Sequence, residues 1–158
     1  MVMKEIEKRL LLELLKDSSL PVSELARRVG ISRQTASKKI KEMKKRGLSF
    51  TVKVNPSELG LETRAYVFIS EDPHEEIRRK NERVILGIPH VSEFHRIFGR
   101  YSAVMVVTVK NPEELKEVVK KIHDLEGVRE TETFIVHSTI KDDPYAPLIH
   151  FLEEETGG

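Results

Sequence analysis

The chain has 158 residues, enough for one ordinary domain or two small ones, with 39% hydrophobic residues to build cores and 34% charged residues to keep the surface wet. It has no cysteine, which excludes disulfides, thiolate metal ligands and a cysteine nucleophile. No apolar run approaches the ~18 residues of a membrane helix and no signal-peptide core opens the sequence, so a cytoplasmic protein with no membrane partner is expected. The formal net charge of +1 is unevenly divided. Residues 1–48 carry 13 Lys and Arg against 6 Asp and Glu, a net +7, whereas residues 49–158 carry 14 against 20, a net −6. A basic segment joined to an acidic one points to a head that meets a polyanion and a body that avoids it. The charge-rich, cysteine-free composition also fits a heat-adapted source.

In chain order, Ile6, Leu10, Leu11, Leu14 and Leu15 recur at helical spacing and predict an amphipathic helix from Lys4 to Lys16. Asp17 to Pro21 breaks it, and a second short helix follows from Val22 to Val29 with Leu25, Ala26 and Val29 inward. Gly30 suits a left-handed cap, Ile31 fills the angle, and Ser32 is placed to cap a third helix that stops at Gly47. Three such helices, the last two joined by three residues, describe a helix-turn-helix.

On the third helix Ala36, Ile40 and Met43 form the buried stripe. The opposite face offers Ser32, Arg33, Gln34, Thr35, Ser37, Lys38 and Lys41 as the expected DNA-contacting set. Arg can hold guanine O6 and N7 and Gln adenine N6 and N7, while Lys more often neutralises phosphates. Base readers belong near the N-terminal end of such a helix, where Arg33, Gln34 and Ser37 lie. A solvated basic hairpin would show the same charges, but not the same agreement of turn glycine, small residue and basic face.

Residues 50–54 alternate like a strand, and Asn55 to Gly60 is a turn-rich connector. Beyond it a unit is repeated: strand 63–70, helix 72–87 and strand 88–98, then strand 102–109, helix 111–127 and strand 128–140. Asp72-Pro73 and Asn111-Pro112 each read as an N-cap with proline at the first helical position, with Glu75 and Glu114 completing capping boxes. Gly87 and Gly127 end the helices. Leu115, Val118, Val119 and Ile122 point inward, as do Ile77, Val84 and Ile85, interrupted by Asn81. The expected fold is therefore α+β: a three-helix winged-type helix-turn-helix (1–48), a strand and turn linker (49–62), a ferredoxin-like βαββαβ sandwich (63–141) and a C-terminal tail (142–158) that is irregular from Asp142 to Pro147.

One face of that sheet would be left bare, and Tyr66, Phe68, Val104 and Val106 on it call for a cover. A second copy is the simplest one, and a homodimer also suits helix-turn-helices that read half-sites about one helical turn apart. In the tail, Leu148, Ile149, Phe151 and Leu152 would pack on a neighbouring subunit, and Glu153 to Gly158 would fray.

The head segment SELARRVGISRQTASKKIKEMKKRGL, the connector NPSELGL, the hairpin GRYSAVMVVTV and the strand VRETETFIV resemble, in order and spacing, the Lrp/AsnC (leucine-responsive/asparagine-responsive) regulators of bacteria and archaea. The resemblance covers nearly the whole chain. It implies a DNA-binding transcriptional regulator, dimeric or assembled into an octameric ring of four dimers, that responds to an amino acid. It also implies an effector site at Gly99, Arg100, Tyr101 and Ser102 with Thr131, Glu132 and Thr133 opposite. There a glycine turn could offer N–H groups to a carboxylate, with Arg100 pairing to it and hydroxyls orienting the ammonium. The family's hairpin reads glycine-any-tyrosine-aspartate, whereas this chain has Ser102 in the aspartate position. A plain hairpin turn is the other reading of these four residues.

Catalysis is not expected, and no metal or cofactor. His90 and His95, an odd number of residues apart on one expected strand, face opposite ways, and His74, His123, His137 and His150 have no partner at ligand spacing. The architecture is shared with sirohaem decarboxylases, whose heads need not bind DNA. A ligand-sensing module alone would leave the +7 head unexplained.

Overall fold

The computed structural model describes residues 2–157. The chain forms two compact units, one built from the residues up to Val52 together with the stretch from Lys141 onward, the other running from Lys53 to Ile140.

The first unit holds helices α1 (Glu5–Lys16), α2 (Val22–Val29) and α3 (Arg33–Lys45), and the C-terminal α6 (Ala146–Thr156). Leu10 and Leu14 of α1 close a core with Leu25, Ala26, Ala36, Ile40 and Met43. Gly30 ends α2 at φ 78°, and its N–H reaches the Ala26 and Arg27 carbonyls. That turn leaves Ser32 extended, so its hydroxyl caps α3 by accepting the Thr35 N–H at 3.1 Å.

Glu7 is a buried acid in this core. Its carboxylate accepts the Lys4 N–H at 3.0 Å and the Arg46 guanidinium at 2.6 Å, and so ties the start of α1 to the end of α3. The Lys4 N–H first, and then Arg46, hold its carboxyl below the usual carboxylate range. A carboxyl lowered in the folded state stabilises above its unfolded value and loses that contribution as pH falls through the folded one. Thermal midpoints of wild type and Glu7→Gln, separated at about pH 6, are therefore expected to converge below about pH 4. Parallel midpoints across that range, followed by circular dichroism, would exclude the role.

The tail differs from expectation. Glu153 to Thr156, expected to fray, instead complete α6, which packs through Leu152 on α1 of the same chain. Lys8, Leu12 and Lys16 lie on one stripe of α1. Lys8 pairs with Glu155 at 2.6 Å and Lys16 with Glu153 at 2.8 Å, while Leu12 and Leu152 are buried. Leu12 is thus an inward residue of α1 and Ile6 is exposed, the reverse of the expected pattern, because α6 covers a second face. Ile149 is half-buried and Leu148 and Phe151 are exposed; Gly158 lies outside the described residues. With the tail included, this unit carries 14 basic and 11 acidic residues, a net +3 rather than +7.

In the second unit β1 (Thr63–Glu71), α4 (Glu75–Leu86), β2 (Val91–Arg96), β3 (Ala103–Val109), α5 (Pro112–His123) and β4 (Val128–Ile135) form an antiparallel sheet of order β2-β3-β1-β4. Ala65, Val67, Ile69, Met105 and Val107 face Ile85 of α4 and Leu115, Val118 and Ile122 of α5. β4 stops at Ile135, short of the expected 140. Residues 50–54 form no strand and pair with none among the described residues, because alternation alone supplies no ladder partner. The connector contains a single 3-10 turn, Pro56–Leu59, capped by Asn55.

Three local readings change. His74, not Asp72, is the N-cap of α4; the Asp72 carboxylate accepts the His74 N–H at 2.9 Å in a turn just before the helix, so Glu75 opens the helix rather than closing a capping box. Asn111 does cap α5, but Glu114 reaches back to the Lys110 N–H at 2.7 Å instead of the cap's own. α5 ends at His123 with Asp124 as cap, so Gly127 belongs to the turn into β4, where it takes φ 75°.

Asn81, expected to interrupt α4's inward stripe, is itself buried, and Val84 points outward. The Asn81 amide donates to Glu71 at 3.1 Å and to the Glu126 carbonyl at 2.9 Å. Glu71 is fully buried at the end of β1 and ion-paired with Arg96 at the end of β2; Arg96 also reaches Glu82 at 3.0 Å. On the sheet's open face, Phe68 packs edge-on against Phe134 with centroids 5.7 Å apart and lies 5.5 Å from Tyr101. Val106 is buried and Tyr66 exposed, so the chain's own aromatics cover part of the face expected to be bare.

Candidate DNA-contacting surface and effector cluster

The exposed side of α3 is shallowly concave and is lined by Arg33, Gln34, Ser37, Lys38, Lys41, Glu42 and Lys45. Five of the seven residues expected to contact DNA lie on it. The other two, Ser32 and Thr35, are joined through their hydroxyls at 2.8 Å and through the cap bond, which fixes the helix end. Charge pairing separates this surface from its surroundings. Arg33, Lys38, Lys41 and Lys45 make no ion pair among the described residues. Off the surface, Arg46 is held by Glu7, and Arg27 and Arg28 are held by Glu24, whose carboxyl they draw down to about 2. Lys44 sits over the Phe50 ring at 4.8 Å. Four cations without an ion-pair partner thus lie together on one face of α3, where a polyanion can reach them.

Strand alternation divides the residues expected at the effector site. Thr131 and Thr133 lie opposite Ile69 and Val67 and so face the helix-covered side, where the Thr131 hydroxyl is 2.6 Å from His123 Nδ1. Glu132 lies opposite Phe68, on the open side, and accepts a hydrogen bond from the Tyr101 hydroxyl. That bond pushes the tyrosine up to about 12. Arg100 pairs with Glu130 at 3.0 Å and lies over the Tyr101 ring at 5.2 Å. Ser102 is engaged with the backbone: its N–H and its hydroxyl donate to the Ile69 carbonyl at 2.9 and 3.1 Å. Gly99, at φ 142°, leaves open space beside it. Arg100, Tyr101, Glu130 and Glu132 thus form one polar cluster, without the two threonines. The sequence reading missed Glu130, although the period of two places it on the same side as Glu132.

Among the described residues no three metal-ligating side chains are grouped, and no helix is long and apolar enough to cross a membrane. His90 precedes β2 and its Nε2 lies 3.2 Å from Glu114; His95 pairs with Glu93 at 2.9 Å.

Residues 3–48 match the profile of a winged helix-turn-helix DNA-binding domain, and residues 64–146 that of the Lrp/AsnC ligand binding domain. A helix-turn-helix-type transcriptional regulator of Pyrococcus furiosus is 34% identical over 87% of this chain and 94% of its own. Among solved structures, an AsnC family transcriptional regulator from Agrobacterium tumefaciens superposes with a TM-score of 0.84 at 23% identity, covering 94% of this chain and 99% of that one. A transcriptional regulator of Neisseria meningitidis in complex with L-methionine gives 0.85 at 18% identity, over 95% and 99%. At such identities the two structures speak for the fold, whereas the domain profiles and the archaeal relative speak for descent. The chain belongs to the Lrp/AsnC family of DNA-binding transcriptional regulators.

Proposed function

We propose that this regulator is a non-enzymatic, cytoplasmic homodimer, able to assemble further into a ring of four dimers, that lays α3 in the major groove of duplex DNA. The observation that carries the DNA reading is the set of unpaired side chains on α3, Arg33, Lys38, Lys41 and Lys45 around Gln34 and Ser37. Arg33 stands at the first helical position, where its fork can address guanine, and Lys38 and Lys41 lie further along to meet phosphates. Arg33→Ala is expected to reduce discrimination at one operator position by about tenfold, whereas Lys41→Ala weakens all sequences alike.

The same reading takes the cluster of Arg100, Tyr101, Glu130 and Glu132, with Gly99 beside it, as the place where an amino acid binds between βαββαβ units. The two glutamates offer the negative charge that Ser102 does not, and Arg100 can exchange Glu130 for a ligand carboxylate. Support by likeness comes from the Neisseria regulator, which was solved with L-methionine. Selection of duplexes from a random pool, repeated with each of the common amino acids, tests both halves. No enriched sequence would sink DNA recognition; enrichment indifferent to every amino acid would sink sensing alone.

A further inference from the structure

The surface of α3 contains one acid that the basic reading does not use. Glu42 is the only acidic residue of α3, and it lines the same concavity as Gln34, Lys38 and Lys41. Gln34, Lys38, Glu42 and Lys45 follow at spacings of four, four and three, so they form a single stripe along the helix. Glu42 does not hang free in solvent. Lys39 Nζ, on a half-buried side chain, holds one carboxylate oxygen at 3.1 Å, and the Glu42 side chain, 40% exposed, lines the concavity. This hydrogen bond, before any other influence, keeps the carboxyl below the usual carboxylate range, so it is ionised at neutral pH.

A fixed negative charge in this place has two possible neighbours on a duplex. Against a phosphate it would cancel a contact made by Lys38 or Lys41. Against a base edge it finds a partner only where an amino group projects into the major groove, and the carboxylate has no donor for guanine O6 and N7 or for adenine N7. On the stripe that Gln34 opens, Lys38 and Lys45 are placed to neutralise phosphate, and Glu42, which phosphate repels, is left to meet a base edge. Resting on the DNA-binding reading above, we infer that Glu42, positioned by Lys39, is a specificity-determining residue that accepts a hydrogen bond from cytosine N4 in the operator. It also penalises guanine, adenine N7 and phosphate at that point, so it adds selectivity while lowering indiscriminate affinity.

The test is enrichment from a random duplex pool with the full-length wild type and Glu42→Gln, followed by competition between the selected operator and its single-base variants. The wild type is expected to select cytosine at one position, and E42Q to lose about tenfold of that preference while keeping preferences elsewhere and binding random duplex more tightly. Lys39→Ala, which frees the carboxylate from its holder, is expected to reduce the same preference and no other. Thermal midpoints of the variants serve as the folding control, since Glu42 and Lys39 lie on the helix surface. Base preferences identical in wild type and E42Q overturn the inference, whether overall affinity rises, falls or holds. A wild type that enriches no sequence sinks the regulator reading and this inference with it.

Discussion

Arg96→Ala is expected to destabilise the βαββαβ unit by about 3–5 kcal/mol, the largest loss foreseen for any single exposed or half-exposed side chain in this protein. Glu71 is fully buried at the end of β1, and Arg96 is the cation paired with it. Arg78 Nε is 3.9 Å away, and the remaining partner is the neutral amide of Asn81. Removing Arg96 therefore leaves a carboxylate charge in the interior with the Asn81 amide and the more distant Arg78 as its only partners, and that costs far more than a surface pair returns. The double variant Glu71→Gln/Arg96→Ala separates this account from loss of packing. A glutamine amide at position 71 can still accept from Asn81 and carries no charge, so the double variant is expected to recover most of the stability. Urea unfolding followed by circular dichroism checks both, and a loss below about 1 kcal/mol in R96A would refute the buried-charge account. Arg96 and Glu71 also frame the hairpin 97–102, because Ser102 is bonded to the Ile69 carbonyl two residues before Glu71. The pair thus holds the strand ends from which Arg100 and Tyr101 project.

The second large effect concerns affinity. The triple variant Lys38→Ala/Lys41→Ala/Lys45→Ala is expected to lower affinity for any duplex about a hundredfold at 0.15 M salt and to reduce the slope of log K against log salt by nearly 3. Each lysine that neutralises a phosphate releases about one counterion, and none of these three is committed to an internal carboxylate. Fluorescence anisotropy at a series of salt concentrations measures the slope. A change smaller than one would mean that the concave side of α3 does not face the phosphates.

Much of this was legible in the residues. Gly30, Ser32 and the stripe Ala36, Ile40, Met43 specify turn, cap and buried face through local chemistry, and the structure reproduces them because each depends on neighbours only a few positions away. The repeated βαβ unit was legible for the same reason. What escaped were features made by residues far apart in sequence. Asn81 reads as a flaw in a helical stripe until Glu71 and the Glu126 carbonyl are brought to it. The strand expected at 50–54 has the right alternation and no ladder partner.

At the two candidate sites the division is the same. Sequence order marked Arg33, Gln34, Ser37, Lys38 and Lys41, since a helix converts spacing directly into a face. The family resemblance grouped Thr131 and Thr133 with Glu132, which strand alternation forbids, and passed over Glu130, which the same alternation brings to Arg100. The sequence by itself determined the helix-turn-helix, the βαββαβ order and the basic recognition face, because periodicity and capping are local. Only the tertiary structure decided which cations stay unpaired, which acids are buried, and that the acidic tail returns to α1 to lower the charge of the DNA-binding unit. Ion pairing and burial depend on which distant groups the folded chain brings within a few ångströms, and no spacing rule encodes that.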